Sequence, residues 1–540
     1  MKKLFVLLFL FGLNYQAFSQ VKFIARFELE SELYGPLFET VKTGNSLISF
    51  RTIAVNSNST RKVFQYFESD SNLQSAGLME YPVREGFDMI GYDREKDFLY
   101  VLFQKGKAEN SDKYILKIDL LSKTGFEYEA NNLIAAELIE FLVSDDKAVL
   151  MGMTASKPVM QIFDLSNKSI HTAQGIFAND TRIIQIRKMS DIEAIEVVLS
   201  RKGNYRNREI LINTYDMLGN LLREVKVDQM GTAGQEILDG VLLPDQSYQQ
   251  LLAGSYGMQK VNVYQGVYLM DINEFGEYEF KLYTLEDFPN FFNYLGEKLK
   301  LKKDETIRKG LEKGKTLSFP EVFSIREIQE TEDSYYLFFD HLKIVDSKGR
   351  TNSGLYSPMG FYRFDRLWRM GYNPSLVDPF NPYRLPGTTS YQIIPEYQYI
   401  SAHLVKIGKE RNVVWDNSLQ YNDLIHVYPN VFAEIAVMGE EVYHVYFEDK
   451  TIKLSYLKQG QKVFERVGFE LELVNQAERI RETNPESLRI MHWYDRYFLV
   501  SGTQEIRFIN DKGIEDTREE FFLTKVLVDG ELYEQKDQKD

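Results

Sequence analysis

The residues able to do chemistry are few and scattered. There are six histidines: His171, His341, His403, His426, His444 and His492. None forms the His-x-His or His-Glu-x-x-His spacing that sets two imidazoles on one metal. His341, His403 and His444 fall in or beside strand-like runs, where a packed, hydrogen-bonded imidazole is the ordinary case. Cysteine is absent. That removes thiolate nucleophiles, thiolate metal ligands, disulfides and the lipid-bearing residue of a lipoprotein. No Gly-x-Ser-x-Gly elbow, P-loop or Gly-x-Gly-x-x-Gly motif occurs. The nearest approach to a calcium loop is Glu68-Ser69-Asp70-Ser71-Asn72. It carries Leu73 where that loop turns on glycine and Met79 where it needs a bidentate Glu, so it reads as a polar turn. No cofactor and no metal is expected.

Binding chemistry is concentrated in one segment. Residues 346–396 hold six of the fourteen prolines, nine Tyr, Phe or Trp side chains and interleaved arginines. Tyr362, Arg363, Trp368, Arg369 and Tyr383 join large, low-entropy contact area to forked donors, the composition of a binding hot spot. The competing reading is a long loop that folds its aromatics inward to order itself. A second segment, 287–315, looks helical: Asp287 can cap it and Pro289 suits a first turn. From Leu295 to Lys315 it has eight Lys or Arg against four acids. That charge is either a docking handle for an acidic partner or a solvated face with i,i+4 ion pairs.

The elements carrying these segments read as strands. Phe98–Phe103, Tyr335–Phe339 and Val442–Phe447 are short aromatic and β-branched runs. Hairpin-like turns centre near 69, 121, 166, 218, 274, 408, 459 and 512, at intervals of about 45 to 56 residues except one of about 134. The outlier contains segments 287–315 and 346–396, and removing both leaves about 54. The turn acids Asp119, Asp164, Asp216 and Asp271 read as turn formers, since Asp bonds its own backbone nearby. The expected fold is all-β: a β-propeller of eight blades, with seven as the alternative, spanning 20–535 with two insertions and a polar tail at 536–540. Such a ring closes by pairing strands from both chain ends, so Val21–Glu28 is expected beside Tyr497–Ser501 or Phe521–Val528.

The chain begins as an export leader does. Lys2 and Lys3 precede the apolar run Leu4–Leu13, and Ala17-Phe18-Ser19 offers a cleavage site before Gln20. The run is short for a bilayer span, which needs about 20 residues. The expectation is a leader over 1–19, no transmembrane segment in the mature chain, and a periplasmic or cell-surface location. The formal charge is −15, and −17 once Lys2 and Lys3 leave. Nucleic-acid partners are not expected of so acidic a chain.

Gly254-Ser255-Tyr256, Gly266-Val267-Tyr268-Leu269, the run Phe291–Leu295, Tyr397-Gln398-Tyr399, Ala402-His403 and Val414-Trp415-Asp416-Asn417-Ser418 follow in a distinctive order. That order resembles a family of uncharacterised exported Bacteroidetes proteins. Its members show a Gly-Thr/Ser-Tyr strand, a Lys/Glu-rich insert and a Trp-Asp-Asn-Ser-like strand end. The likeness covers roughly Leu251 to Gln420. It implies export and repeated strands, and it transfers no catalytic residue.

Three functions fit these residues. The first is an exported interaction module that binds an envelope protein or glycan through its loop insertions. The second is a carbohydrate-active hydrolase or lyase that uses carboxylates in the propeller channel. The third is a permanent structural part of an envelope complex. With 79 acids in the chain, no catalytic pair can be chosen from the sequence.

Overall fold

The strand-forming residues come as unbroken apolar runs rather than as alternation, and burial explains why. Phe98–Lys105 is buried from Leu99 to Gln104. Its neighbour Lys113–Asp119 is buried over its first six residues. A strand hidden on both faces lies between two other layers. The next strand, Thr124–Glu129, is exposed along nearly all its length. A propeller blade has this gradient, because neighbouring blades cover its middle strands and its last strand forms the rim.

The computed structural model describes residues 21–530, apart from 57–58, 156, 190, 203–207, 228–234, 244–248, 259–262, 346–350, 353–395 and 427–431. Eight antiparallel sheets of four or five strands follow along the chain. In chain order, blade 1 spans 39–83, blade 2 87–129, blade 3 137–172 and blade 4 181–227. Blade 5 spans 236–284, blade 6 322–426 and blade 7 433–469. Blade 8 joins 479–528 to the first strand of the chain, Val21–Glu30. The opening strands of blades 2 to 6 touch in succession, as do those of blades 7 and 8, which places them innermost. Each neighbouring pair of blades also shares an apolar cluster. Phe50 and Phe64 of blade 1 meet Phe87 and Phe103 of blade 2, and the ring ends where Leu499 and Phe521 of blade 8 meet Phe38 and Phe67 of blade 1. The protein is an eight-bladed β-propeller. Among the described residues no helix is long and apolar enough to cross a membrane.

Turn chemistry punctuates the blades. In the last hairpin of blades 2, 3 and 4, one oxygen of Asp119, Asp164 or Asp216 accepts two backbone N–H groups of its own turn. Asp70, in the segment read as a polar turn, does the same for Asn72 and Gln74. Asp271 does not. Asn273 makes that turn instead, while Asp271 pairs with Arg411 of blade 6. The turn near 512 also differs in kind. The other seven join the third and fourth strands of a blade, whereas this one joins the second and third strands of blade 8. Its fourth strand comes from the N-terminal end.

That strand closes the ring. Val21–Glu30 runs antiparallel to Glu515–Val528, from Val21 opposite Val528 to Glu30 opposite Glu520. At its centre Arg26 is 6% exposed and bridges to Glu520, 2% exposed, at 2.7 Å. It also donates to Gln504 at 2.8 Å and Thr524 at 3.3 Å, and lies 4.3 Å from the Phe522 ring centre. Arg26→Ala strips these contacts while Arg518 still holds the other Glu520 oxygen. Unfolding free energy should fall by about 3 kcal/mol in urea titrations. A loss below about 1 kcal/mol would show that closure does not lean on this pair.

Candidate functional site

In a four-stranded meander, the links between the second and third strands leave on the same face as the links between blades. Residues 285–321 link blade 5 to blade 6, and 346–395 link the second and third strands of blade 6. Both insertions therefore emerge on one face, from adjacent blades. Blade 6 is built to carry them: its last three long strands have 12, 13 and 14 residues, against 8 and 8 for the middle strands of blade 3.

The first insertion is not helical from Asp287. Asp287 accepts the Thr284 N–H at 2.7 Å and closes a single 3-10 turn. Phe288, Phe291, Phe292 and Tyr294 are then buried between blades 5 and 6. Burying four aromatics overrides the local helix signal, since packing outweighs propensity. The helix, α1, spans Glu297–Leu311 after Gly296, and none of its residues is buried.

The run Asp416-Asn417-Ser418 holds this wedge. The Asp416 carboxylate accepts the Asn290 N–H at 3.0 Å. Asn417 Oδ1 accepts from Asn293 Nδ2 at 2.9 Å, and Ser418 Oγ accepts the Tyr294 N–H at 3.0 Å. Burial pushes the Asp416 carboxyl up to about 6, against the pull of the Asn290 donors and Lys300. One blade inward, the fully buried Asp239 ties blade 5 to blade 6. It accepts Ser255 N and Oγ, each at 2.6 Å, then Ser324 Oγ at 2.7 Å and Ile325 N at 3.0 Å. Its carboxyl is pushed up to about 6 by burial despite those four donors. Gly254 is required there, because a Cβ would lie 2.1 Å from the Asp239 carbonyl oxygen. These residues position the face.

Beneath the wedge sits a serine between two imidazoles. Ser401 Oγ lies 3.1 Å from His341 Nδ1 and 2.9 Å from His403 Nε2. A nucleophilic serine needs such a neighbour, but it also needs room for a carbonyl. All three residues are buried. Phe291 stacks 4.2 Å from the His403 ring, and Tyr294 and Phe319 close over His341. The cluster is core. Burial drives His341 down to about 3, helped by Lys343 and Lys303. It drives His403 well below the usual range, helped by His341.

The channel holds charge on two sides. Lys188 of blade 4 reaches Asp93 of blade 2 at 2.7 Å and the Val143 carbonyl of blade 3 at 3.1 Å. A side chain that reaches past a whole blade must run through the middle of the ring. Opposite, the Glu434 carboxylate of blade 7 accepts the His492 N–H at 3.3 Å, and Lys42 of blade 1 bonds the His492 carbonyl at 2.8 Å. Burial and then Glu327 push the Glu434 carboxyl up to about 7, against Lys42, Arg326 and the His492 N–H. Among the described residues, no group of three or more His, Asp or Glu could hold a metal ion.

Tyr362, Arg363, Trp368, Arg369 and Tyr383 lie outside the described residues, as do the expected leader at 1–19 and the polar segment 536–540. Asp239, Lys188 and Glu434 went unnoticed in the sequence. Lys188 and Glu434 lie within strands and Asp239 between two two-residue strands, and each is distinguished only by partners from other blades.

No family model matches this chain, and no curated protein does. Among solved structures, the Pyrococcus horikoshii acylaminoacyl peptidase is 9% identical with a TM-score of 0.32. The match covers 80% of this chain and 52% of the peptidase, so the chain spans about half that protein's length. The polysaccharide lyase Uly1 is 10% identical with a TM-score of 0.35, over 82% of this chain and 90% of the lyase. The β-propeller domain of the Trilobed protease from Pyrococcus furiosus is 10% identical with a TM-score of 0.28, over 80% and 98%. Likenesses this distant transfer no residue and no activity.

The sealed histidines give a pH signature. An unfolded imidazole takes its proton near 6.5 and the folded His341 only near 3. Stability from this group is therefore complete above about 6.5 and is lost as pH falls through that window. His341→Phe should flatten the fall in urea-measured stability by up to about 1.4 kcal/mol per pH unit between about pH 6 and 4. An unchanged slope would mean that the imidazole titrates freely in the folded chain.

Proposed function

We propose that this chain is an exported, non-catalytic binding propeller of the bacterial envelope, whose protein or glycan partner docks on the face that carries both insertions. One observation carries the reading. Helix α1 is fastened to the ring by a buried aromatic wedge, yet none of its residues is fully buried and only Ile307 packs, half-buried, against the core. A helix that gives the core only the partly buried Ile307 and is still held in place is a presented surface. It offers six Lys or Arg against three acids on a chain whose net charge is −15, together with exposed Leu299 and Leu301. The Lys2-Lys3 start and Ala17-Phe18-Ser19 support export.

A second reading rests on Glu434. A carboxyl held near 7 beside Glu327 suits a general acid for glycoside cleavage. Glu434→Gln separates the two: loss of polysaccharide turnover favours the hydrolase or lyase, and retained partner binding with no turnover in either form favours the binding module.

The test of the docking face is charge reversal. Lys298→Glu, Lys302→Glu and Lys309→Glu together alter exposed positions only. The melting temperature should stay within a degree or two, as surface changes rarely move stability beyond about 0.5 kcal/mol each. Cross-linked partner recovered from envelope fractions should fall at least about tenfold, as should recovery with Trp368→Ala/Arg369→Ala. Undiminished recovery with both variants would retire this face as the docking surface.

A further inference from the structure

On the face opposite the insertions, the first hairpins of blades 2, 3 and 4 enclose a pocket of about 240 Å³. Arg94, Glu95, Lys96, Ser144, Asp145, Lys188 and Glu193 line it. Several of these groups are already committed. The Lys188 ammonium donates to Asp93 at 2.7 Å, to the Val143 carbonyl at 3.1 Å and to the Arg94 carbonyl at 3.3 Å. Both Glu95 oxygens accept the Asp145 N–H at 2.9 Å, and the Asp145 carboxylate lies 3.4 Å from Lys147.

Arg94 is different. Its Nε is buried without a hydrogen-bond partner. With Nε sealed inside the protein, it is the outer nitrogens of the Arg94 guanidinium that a ligand in the pocket can meet. A guanidinium fork matches the two oxygens of a carboxylate or phosphate. The acids Glu95, Asp145 and Glu193 at the same pocket repel a phosphate dianion more strongly than a singly charged carboxylate. Glu193 is exposed and can accept hydroxyl groups, and the Ser144 hydroxyl can donate or accept. The space suits one six-membered ring and is below the usual range for drug-sized ligands.

We propose that this pocket binds a single uronic-acid sugar, with its carboxylate on the Arg94 fork and its ring hydroxyls shared between Ser144 and Glu193. Lys96, which is exposed, also lines the pocket and adds positive charge to it. The site is separate from the insertion face and does not depend on what docks there.

The experiment is calorimetric titration of the full chain with D-glucuronate, D-glucose, L-glutamate and inorganic phosphate. Glucuronate should bind at millimolar concentration and glucose should not. Arg94→Met should weaken glucuronate at least about tenfold through loss of the charge-assisted fork, while the Lys298/Lys302/Lys309 reversal leaves it unchanged. Hydrogen exchange on the unaltered protein supplies an independent readout: glucuronate should slow the hairpins at 93–97 and 143–147. Absence of glucuronate binding, equal binding to Arg94→Met, or protection elsewhere on the ring would overturn the proposal. Equal uptake of L-glutamate or phosphate would overturn the sugar assignment.

Discussion

The pairing of Val21–Glu30 with Glu515–Val528 is the constraint on which the rest of the molecule depends. Seven blades made in sequence order would leave an open stack with two exposed sheet edges. One strand from the front of the chain supplies the outer edge of the last blade and turns the stack into a ring. Arg26 sits at the middle of this seam, with Glu520, Gln504 and Thr524 around it. Because there are no cysteines, no covalent link helps. Closure rests on strand hydrogen bonds, one buried ion-pair network and the aromatic contacts of Phe38, Phe67 and Phe521.

Once the ring is fixed, polar groups buried between blades set what its faces present. Asp239 stitches blade 5 to blade 6 with four accepted hydrogen bonds. Asp416, Asn417 and Ser418 hold the aromatic wedge. Buried carboxylates of this kind are strong specifiers, because any other arrangement leaves the charge unpaired. They concentrate at blades 5 and 6, where the two insertions emerge. The Arg326–Asp340 pair at 2.6 Å continues the pattern toward blade 7. The outcome is a stiff platform at one sector of the disc, from which α1 projects.

What could be read in the sequence was local. The Asp and Asn turns, the apolar middle strands and the turn spacing are properties of neighbouring residues, and they point to blades. What could not be read was tertiary. Asp287 and Pro289 have the form of a helix start, yet the four aromatics between Phe288 and Tyr294 find a core contributed by strands far away in the chain. The turn near 512 fits the period but occupies a different step of its blade, because the missing strand comes from the other end of the chain. Ser401 flanked by His341 and His403 is one residue of contact chemistry on two strands, and its burial comes from a third segment. Trp415–Ser418 stood out as a motif, but its purpose became clear only with the partners Asn290, Asn293 and Tyr294 in place.

In this reading α1 is a surface presented on a rigid anchor, with only Ile307 packed against the core. Residue-resolved hydrogen exchange on the isolated chain tests it directly. The amides of Asn290, Tyr294, Ser255 and Ile325, bonded to buried side chains, should exchange only with global unfolding. Those of Glu297–Leu311 should exchange by local opening, orders of magnitude faster. Equally slow exchange in α1 would make it a core element, and fast exchange in the wedge would remove the anchor; either result contradicts the account.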